Sequence, residues 1–248
     1  SGDIAVGTTT VTFRLRDCDG WLGAAAPTGD GEILSAGDVV KNGPGALRLN
    51  GAANTYTGTT NVNAGTLLVN GSLTADADTV HVNSGGTLGG NGTIGNTPGA
   101  RDVIVHAGGT LDPGDLSLSG CTPLAGQLTV NGDVEVQSGG TFRVQLGGLT
   151  PGVGGYDQLV LNGSGNLHGT IADGTGGGTL LVQPQFGVPI GAEFIIISND
   201  LAELIETRFL GLPEGAFLNP GVLMNISYLA GTANNDVVLT APGRFDFN

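Results

Sequence analysis

The sequence predicts an all-β protein built as a parallel β-solenoid. Three features carry that prediction. The dipeptide Asn-Gly recurs at Asn50, Asn70, Asn91, Asn131 and Asn162, at intervals of 20, 21, 40 and 31 residues. An interleaved series, Val62-Asn63-Ala64-Gly65-Thr66-Leu67, is echoed at Val82–Leu88, Val105–Leu111 and Val136–Phe142, and its Gly-Thr step advances by 21, 23 and 31 residues. Glycine makes up 47 of 248 residues, far above the usual usage of about 7%. A period near 20 that lengthens where a loop is inserted is the signature of one solenoid coil.

Between these markers lie runs of three to six residues such as Leu67-Leu68-Val69, Thr79-Val80-His81-Val82, Val103-Ile104-Val105 and Gln127-Leu128-Thr129-Val130. In most of them apolar side chains alternate with Thr, Asn, His or Gln, as a half-buried strand requires. Asn and Gly supply the corners. Runs this short cannot stand as isolated hairpins, so each coil must stack on its neighbours to bury its inner face. Val, Leu and Ile are expected inside, Thr and Asn outside.

Composition excludes other classes. Glycine at this density is incompatible with an all-helical chain, and without a Gly-X-Y period it is not collagen. Hydrophobic residues reach 39%, which argues against disorder. Eight basic against 22 acidic residues give a net charge of −14, so no nucleic-acid partner is expected. No apolar stretch is long enough for a transmembrane helix. The amino terminus lacks the basic and apolar regions of a signal peptide, which is expected to have been removed.

Three regions are expected: an amino-terminal strand or cap (1–44), the repeat region (45–180), and terminal coils with a carboxy-terminal cap (181–248). The first contains the β-branched run Asp3–Arg16. It is expected to form the first coil or a cap; alternatively Ile4, Val6, Val11, Phe13 and Leu15 form an assembly strand that pairs with a neighbouring copy. In the last region, Asp200–Glu206 is the one candidate for a short helix or turn, after the apolar run Phe194-Ile195-Ile196-Ile197.

The stretch from Gly45 to Gly95, with Asn54-Thr55-Tyr56-Thr57-Gly58-Thr59-Thr60-Asn61-Val62-Asn63-Ala64-Gly65-Thr66-Leu67, resembles the autotransporter-associated β-strand repeat, also called the passenger-associated transport repeat. Gly109–Gly114, Gly126–Asp133, Tyr156–Leu159 and Asn235–Thr240 resemble the segments that usually succeed this repeat in the family, so the likeness covers roughly 45–240. It implies a right-handed β-helix exported beyond the bacterial cytoplasm, and the family assigns the repeat no catalytic residues. Two departures stand out. No aromatic-girdled strand series for an outer-membrane barrel is present, and an insertion around Leu116–Leu124 interrupts a segment usually shorter in relatives.

Candidate chemistry is sparse, and no catalytic residue, cofactor or metal site is predicted. Asp112 and Asp115 could act as an acid–base or calcium pair, although Leu-Asp-Pro-Gly-Asp also reads as a turn. Arg101 beside Asp102, and Arg143, are the candidates for a polysaccharide lyase's base. A solvated ion pair accounts for them equally. His81 and His106 occupy equivalent places in their units and would stack in register, either as outward polar residues or as a metal pair. Gly90-Asn91-Gly92-Thr93-Ile94-Gly95 fits the dinucleotide pattern by chance, since no helix comes after it. Cys18 and Cys121, both in turn-like segments, favour a disulfide over two buried thiols; closing that loop stabilises by roughly 4–5 kcal/mol in the chain-entropy model.

The sequence therefore reads as a non-catalytic extracellular scaffold or adhesin at the bacterial cell surface, contacting glycans or neighbouring cells. A subunit that self-associates into fibres, and a β-helical polysaccharide-active enzyme, are the alternatives.

Overall fold

A strand of three residues has too few hydrogen bonds to stand alone, and the chain resolves this by laying each strand parallel to its counterpart in the next coil. The computed structural model describes residues 4–5, 11–14, 20–22, 33–34, 36–75, 79–97, 101–117, 122–162, 177–199, 205, 208–231 and 235–242, with side chains from Ile33 onward. Among these residues there is no helix, and hence none long and apolar enough to cross a membrane.

Three sheets form the walls. The first runs Val11–Arg14, Val39–Asn42, Thr60–Val62, Val80–Val82, Val103–Val105 and Val134–Val136, every pair parallel. The second runs Gly20–Leu22, Ala46–Leu49, Gly65–Val69, Gly86–Gly90, Thr110–Pro113, Thr141–Leu146 and Thr179–Pro184, again all parallel. The third begins parallel, from Ser72–Leu73 through Thr93–Ile94, Gln127–Val130 and Gln158–Leu161 to Glu193–Asn199. From Thr60 to Leu161 the chain visits the sheets in that order, coil after coil. The expected parallel β-solenoid is the fold.

Register puts like on like. Leu47, Leu67, Leu88, Leu111 and Phe142 stack inside the second sheet; Val62, Val82, Val105 and Val136 stack inside the first. The single lysine breaks the pattern, because Lys41 is the inward register partner of Val62 and is fully buried. Its Nζ donates to the carbonyls of Asn42, Gly43 and Ala64 at 3.3, 2.8 and 2.8 Å, closing carbonyls that the corner leaves unpaired. Burial lowers its pKa to about 8, and the three acceptors favour the ammonium form.

The Asn-Gly corners are set by close approach. A Cβ on Gly71 would lie 1.9 Å from the Gly51 carbonyl oxygen, and one on Gly92 would lie 1.9 Å from that of Gly71. The Gly90–Gly95 segment is thus a corner, and the dinucleotide pattern is the by-product of stacked glycines. The recognisable Tyr56–Thr60 segment is another. Asn54, fully buried, accepts from the Ile33 N–H and donates to the Gly51 and Ser72 carbonyls. Tyr56 Oη lies 2.6 Å from Thr60 Oγ1.

The amino-terminal segment forms the first rungs. Ile4 pairs with Ile33, Val11 with Val39 and Phe13 with Lys41; Val6 and Leu15 lie outside the described residues. At the other end the parallel rule is abandoned. Glu193–Asn199, Asp236–Thr240, Met224–Ala230 and Phe217–Leu218 form an antiparallel meander that extends the third sheet. Phe209 stacks on Phe142 at 5.9 Å, and Tyr156 meets Phe194 edge to face at 5.3 Å. Of the acidic stretch 200–206 only Ile205 is described, so the expected helix lies outside the described residues. Cys18 and Cys121 lie outside them as well.

Replacing Gly92 with alanine is expected to destabilise the fold by roughly 1–3 kcal/mol through overpacking. Gly187→Ala, where an added Cβ meets nothing within 4 Å, is expected to stay within about 0.5 kcal/mol. Denaturant titration of the two variants checks the pair.

Candidate functional site

A solenoid keeps its coils uniform and carries its individuality in insertions, which collect on one face and often bind there. Among the described residues, two insertions interrupt the same corner, between the second and third sheets. Residues 114–126 include a hairpin, Asp115–Leu116 against Pro123–Leu124; residues 147–157 form a loop closed by the bridge of Leu146 to Tyr156. Leu124, Leu149 and Val153, on these two insertions, are 46, 54 and 79% exposed.

The hairpin is pinned across the outside of the second sheet. Gly114, at φ 112°, turns the chain out of the sheet. Arg48, three rungs back, donates from Nε to Asp115 Oδ1 at 3.0 Å and from Nη2 to the Leu116 carbonyl at 2.7 Å. Asn70 donates to Asp115 Oδ2 at 3.0 Å and to Asn50 Oδ1 at 3.2 Å, joining the hairpin to the corner asparagines.

The second insertion is held by a buried carboxylate. Asp157, fully buried, accepts from the Gly126 N–H at 2.8 Å and the Gln145 N–H at 2.7 Å, so it joins the ends of both insertions. Asp112, also buried, is paired with Arg143 and faces Gln145 Nε2 at 3.4 Å. Burial first, and the charge of Asp112 second, push the Asp157 carboxyl up to about 8, against the pull of its two backbone N–H donors and Arg143.

These partners correct three expectations. Asp112 and Asp115 do not converge on one site: the first pairs with Arg143, the second with Arg48. Arg143 is engaged by Asp112 and is held in its charged form, so it is unsuited to act as a base. Arg101 forms no ion pair with Asp102. It is 1% exposed, lies over the Tyr56 ring at 4.9 Å and donates to the Tyr56 carbonyl at 3.1 Å. Its Nε and Nη1 have no hydrogen-bond partner. Asp102 faces outward with Asp133 and Glu135 along a shallow groove of about 280 Å³.

The histidine expectation is corrected in its register: His81 is the partner of Asn61 and Ile104, and His106 lies two residues past Ile104, so the two rings meet on a diagonal and not at equivalent places. His81 and His106 stack, with ring centroids 5.3 Å apart and planes 17° from parallel. His106 comes next after an outward amide ladder in which Asn63 donates to Asn42 and Asn83 to Asn63, at 3.1 and 2.8 Å, and His81 lies in the adjacent row, beside Asn61. Among the described residues no group of three or more His, Cys, Asp or Glu converges as a metal site. Sequence reasoning missed Arg48, Lys41 and Asp157; for Asp157 the Tyr-Asp-Gln-Leu segment was a signal of position but not of partner.

A stack of parallel coils with amide, threonine and histidine ladders outside and insertions on one corner defines a β-solenoid repeat protein. Residues 39–69 match the passenger-associated-transport-repeat family model, so the repeat recognised at Tyr56–Leu67 is present, beginning at Val39 rather than Gly45. Over 116 residues the chain is 39% identical to a protein named "Adhesin BmaC autotransporter" from Brucella suis biovar 1 (strain 1330). That alignment covers 47% of this chain and 3% of the relative. The chain thus carries a passenger-associated-transport repeat and is similar to an autotransporter passenger, and it spans a small part of the relative it matches.

The raised Asp157 pKa has a definite sign. The folded protein holds this proton more tightly than the unfolded chain, so the stabilisation is full below about pH 4 and is lost as pH rises through about 8. In Asp112→Asn the neighbouring charge is gone and Arg143 is released toward Asp157. The carbon-13 carboxyl titration of Asp157 is expected to move downward, and an unchanged midpoint would contradict the coupling.

Proposed function

We propose that the chain is a rigid, non-catalytic scaffold segment of an adhesive protein displayed outside the bacterial cell. The observation that carries this reading is the unbroken parallel stack, whose strongest ionisable contacts serve to fasten insertions to the rod. The passenger repeat and the adhesin relative support an extracellular location and an adhesin-like role. Leu124, Leu149 and Val153 on the insertion corner supply apolar tips for contact with a neighbouring cell or its surface glycans. Small-angle scattering is expected to give a rod-like profile, and Leu149→Ser with Val153→Ser to weaken cell attachment severalfold at unchanged stability. A spherical profile, or undiminished attachment, would count against the rod and the tips respectively.

A second reading, a subunit of a self-associating fibre, is favoured by one feature. Val11–Arg14 and Gly20–Leu22 are terminal strands of the first two sheets, and terminal strands are templates for pairing. In that reading Ile4, Val6, Val11, Phe13 and Leu15 belong to the joining segment. Continuous fibres in negative stain would favour it; single short rods would remove it. An enzymatic role on acidic polysaccharides is disfavoured by the mutual pairing of Asp112 and Arg143, and turnover abolished by Asp112→Ala would revive it.

We also keep the Cys18–Cys121 disulfide as a proposal. Trp21, close after Cys18, is the register partner of Arg48, and Pro123, close after Cys121, is that of Leu116, whose carbonyl Arg48 holds. The described neighbours of both cysteines thus meet at one arginine. Intact mass is expected to rise by two protons on reduction, and two alkylatable thiols in the native protein would exclude the bond.

A further inference from the structure

The diagonal contact between His81 and His106, one rung and two residues apart in register, does more than fill two outward positions. His81 Nδ1 and His106 Nε2 face each other at 3.1 Å. His106 Nδ1 lies 2.8 Å from Gln137 Oε1, and Gln137 Nε2 donates to Glu135 Oε1 at 3.2 Å. A carboxylate only accepts, so it turns the Gln137 amide group toward itself and leaves the carbonyl oxygen facing His106. A carbonyl oxygen also only accepts, so His106 carries its proton on Nδ1. Its Nε2 lone pair therefore points at His81. A metal-binding histidine is commonly prepared in this way, its second nitrogen donating to a carbonyl that is itself held.

We propose that His81 Nδ1 and His106 Nε2 form a two-histidine site for a divalent transition metal of the zinc, copper or nickel class. Metal–nitrogen bonds of about 2.0–2.1 Å at angles between square-planar and tetrahedral set the two nitrogens about 2.9–3.4 Å apart. The observed 3.1 Å lies inside that window; with ring centroids 5.3 Å apart the two nitrogens lie nearly in line, so the imidazoles swing about their side-chain bonds to aim both lone pairs at one ion. The proton now shared between the rings is the group the ion replaces: His81 coordinates through Nδ1 and carries its proton on Nε2, and no net charge is lost from the imidazoles. Both side chains are half-buried on the outside of the first sheet, which leaves the remaining coordination positions to water. Imidazole nitrogen selects against calcium and magnesium, which prefer oxygen. This inference stands on the diagonal histidine contact and is independent of the adhesive reading.

The test is calorimetric titration of the full chain, unreduced and with any free thiol blocked, with zinc and with copper(II). One ion per chain is expected to bind, and calcium is expected to give no heat. His81→Asn and His106→Asn extend the neighbouring ladders, since Asn61 pairs with position 81 and Asn83 precedes position 106 in its ladder, so both variants keep polar partners. Each is expected to lower affinity by more than about tenfold, and Gln137→Ala by about tenfold. Unchanged binding in both histidine variants, or none in the parent chain, overturns the site. Ring-nitrogen NMR of the parent protein gives a readout that needs no variant: zinc is expected to shift His81 Nδ1 and His106 Nε2, and static resonances there overturn the proposal too.

Discussion

Everything in this molecule stems from the need to keep every coil in register with the next while the chain turns three corners per coil. Strands of two to seven residues acquire cooperative strength only when each N–H and C=O finds its counterpart one rung away. The corner backbones must therefore superpose, and where they approach most closely no side chain fits. Asn-Gly is the economical answer, because the asparagine amide bridges to the next coil while the glycine admits its carbonyl. The repeat that looks like a family signature is, physically, a stacking constraint.

That constraint explains where variation is permitted. The walls admit little beyond substitution, since an extra residue in a strand would turn its apolar face outward. Additional chain has to leave at a corner, and the two described insertions leave at the same one. Once outside, they must be fastened, and the fastening uses the few charges the sequence has, Arg48 with Asp115 and Asp157 on two backbone N–H groups, while Arg143 with Asp112 joins neighbouring rungs beside them. A chain with so few basic residues places three of its arginines and its one lysine in buried or partly buried contacts, which leaves the surface strongly acidic. The residues with catalytic potential are for this reason mostly structural.

The two ends of the stack are solved differently. The first rungs come from the amino-terminal segment, continuing the same sheets. The last coil is closed by an antiparallel meander, with Phe142, Phe209, Tyr228, Tyr156 and Phe194 gathered beside it. Aromatic volume replaces the next coil's aliphatic ladder, because an open end has no further rung to cover it.

The solenoid was legible in the sequence because its cause is local and periodic: alternation places Val62, Val82 and Val105 inside, and the recurrence of Asn-Gly marks the corners. The histidine pair was legible only in part, since His81 and His106 stand at offsets two residues apart and it is the diagonal between neighbouring rungs that brings them together. What the sequence could not disclose were the partners made at irregular separations. Arg48 and Asp115 lie 67 residues apart and Asp157 joins two insertions of unequal length, so no period relates them. Lys41 occupies a valine position that only the closed corner, with three carbonyls converging, makes tolerable for a charge. Repetition specified the rod; the roles of its charged residues were decided only when the insertions folded back upon it.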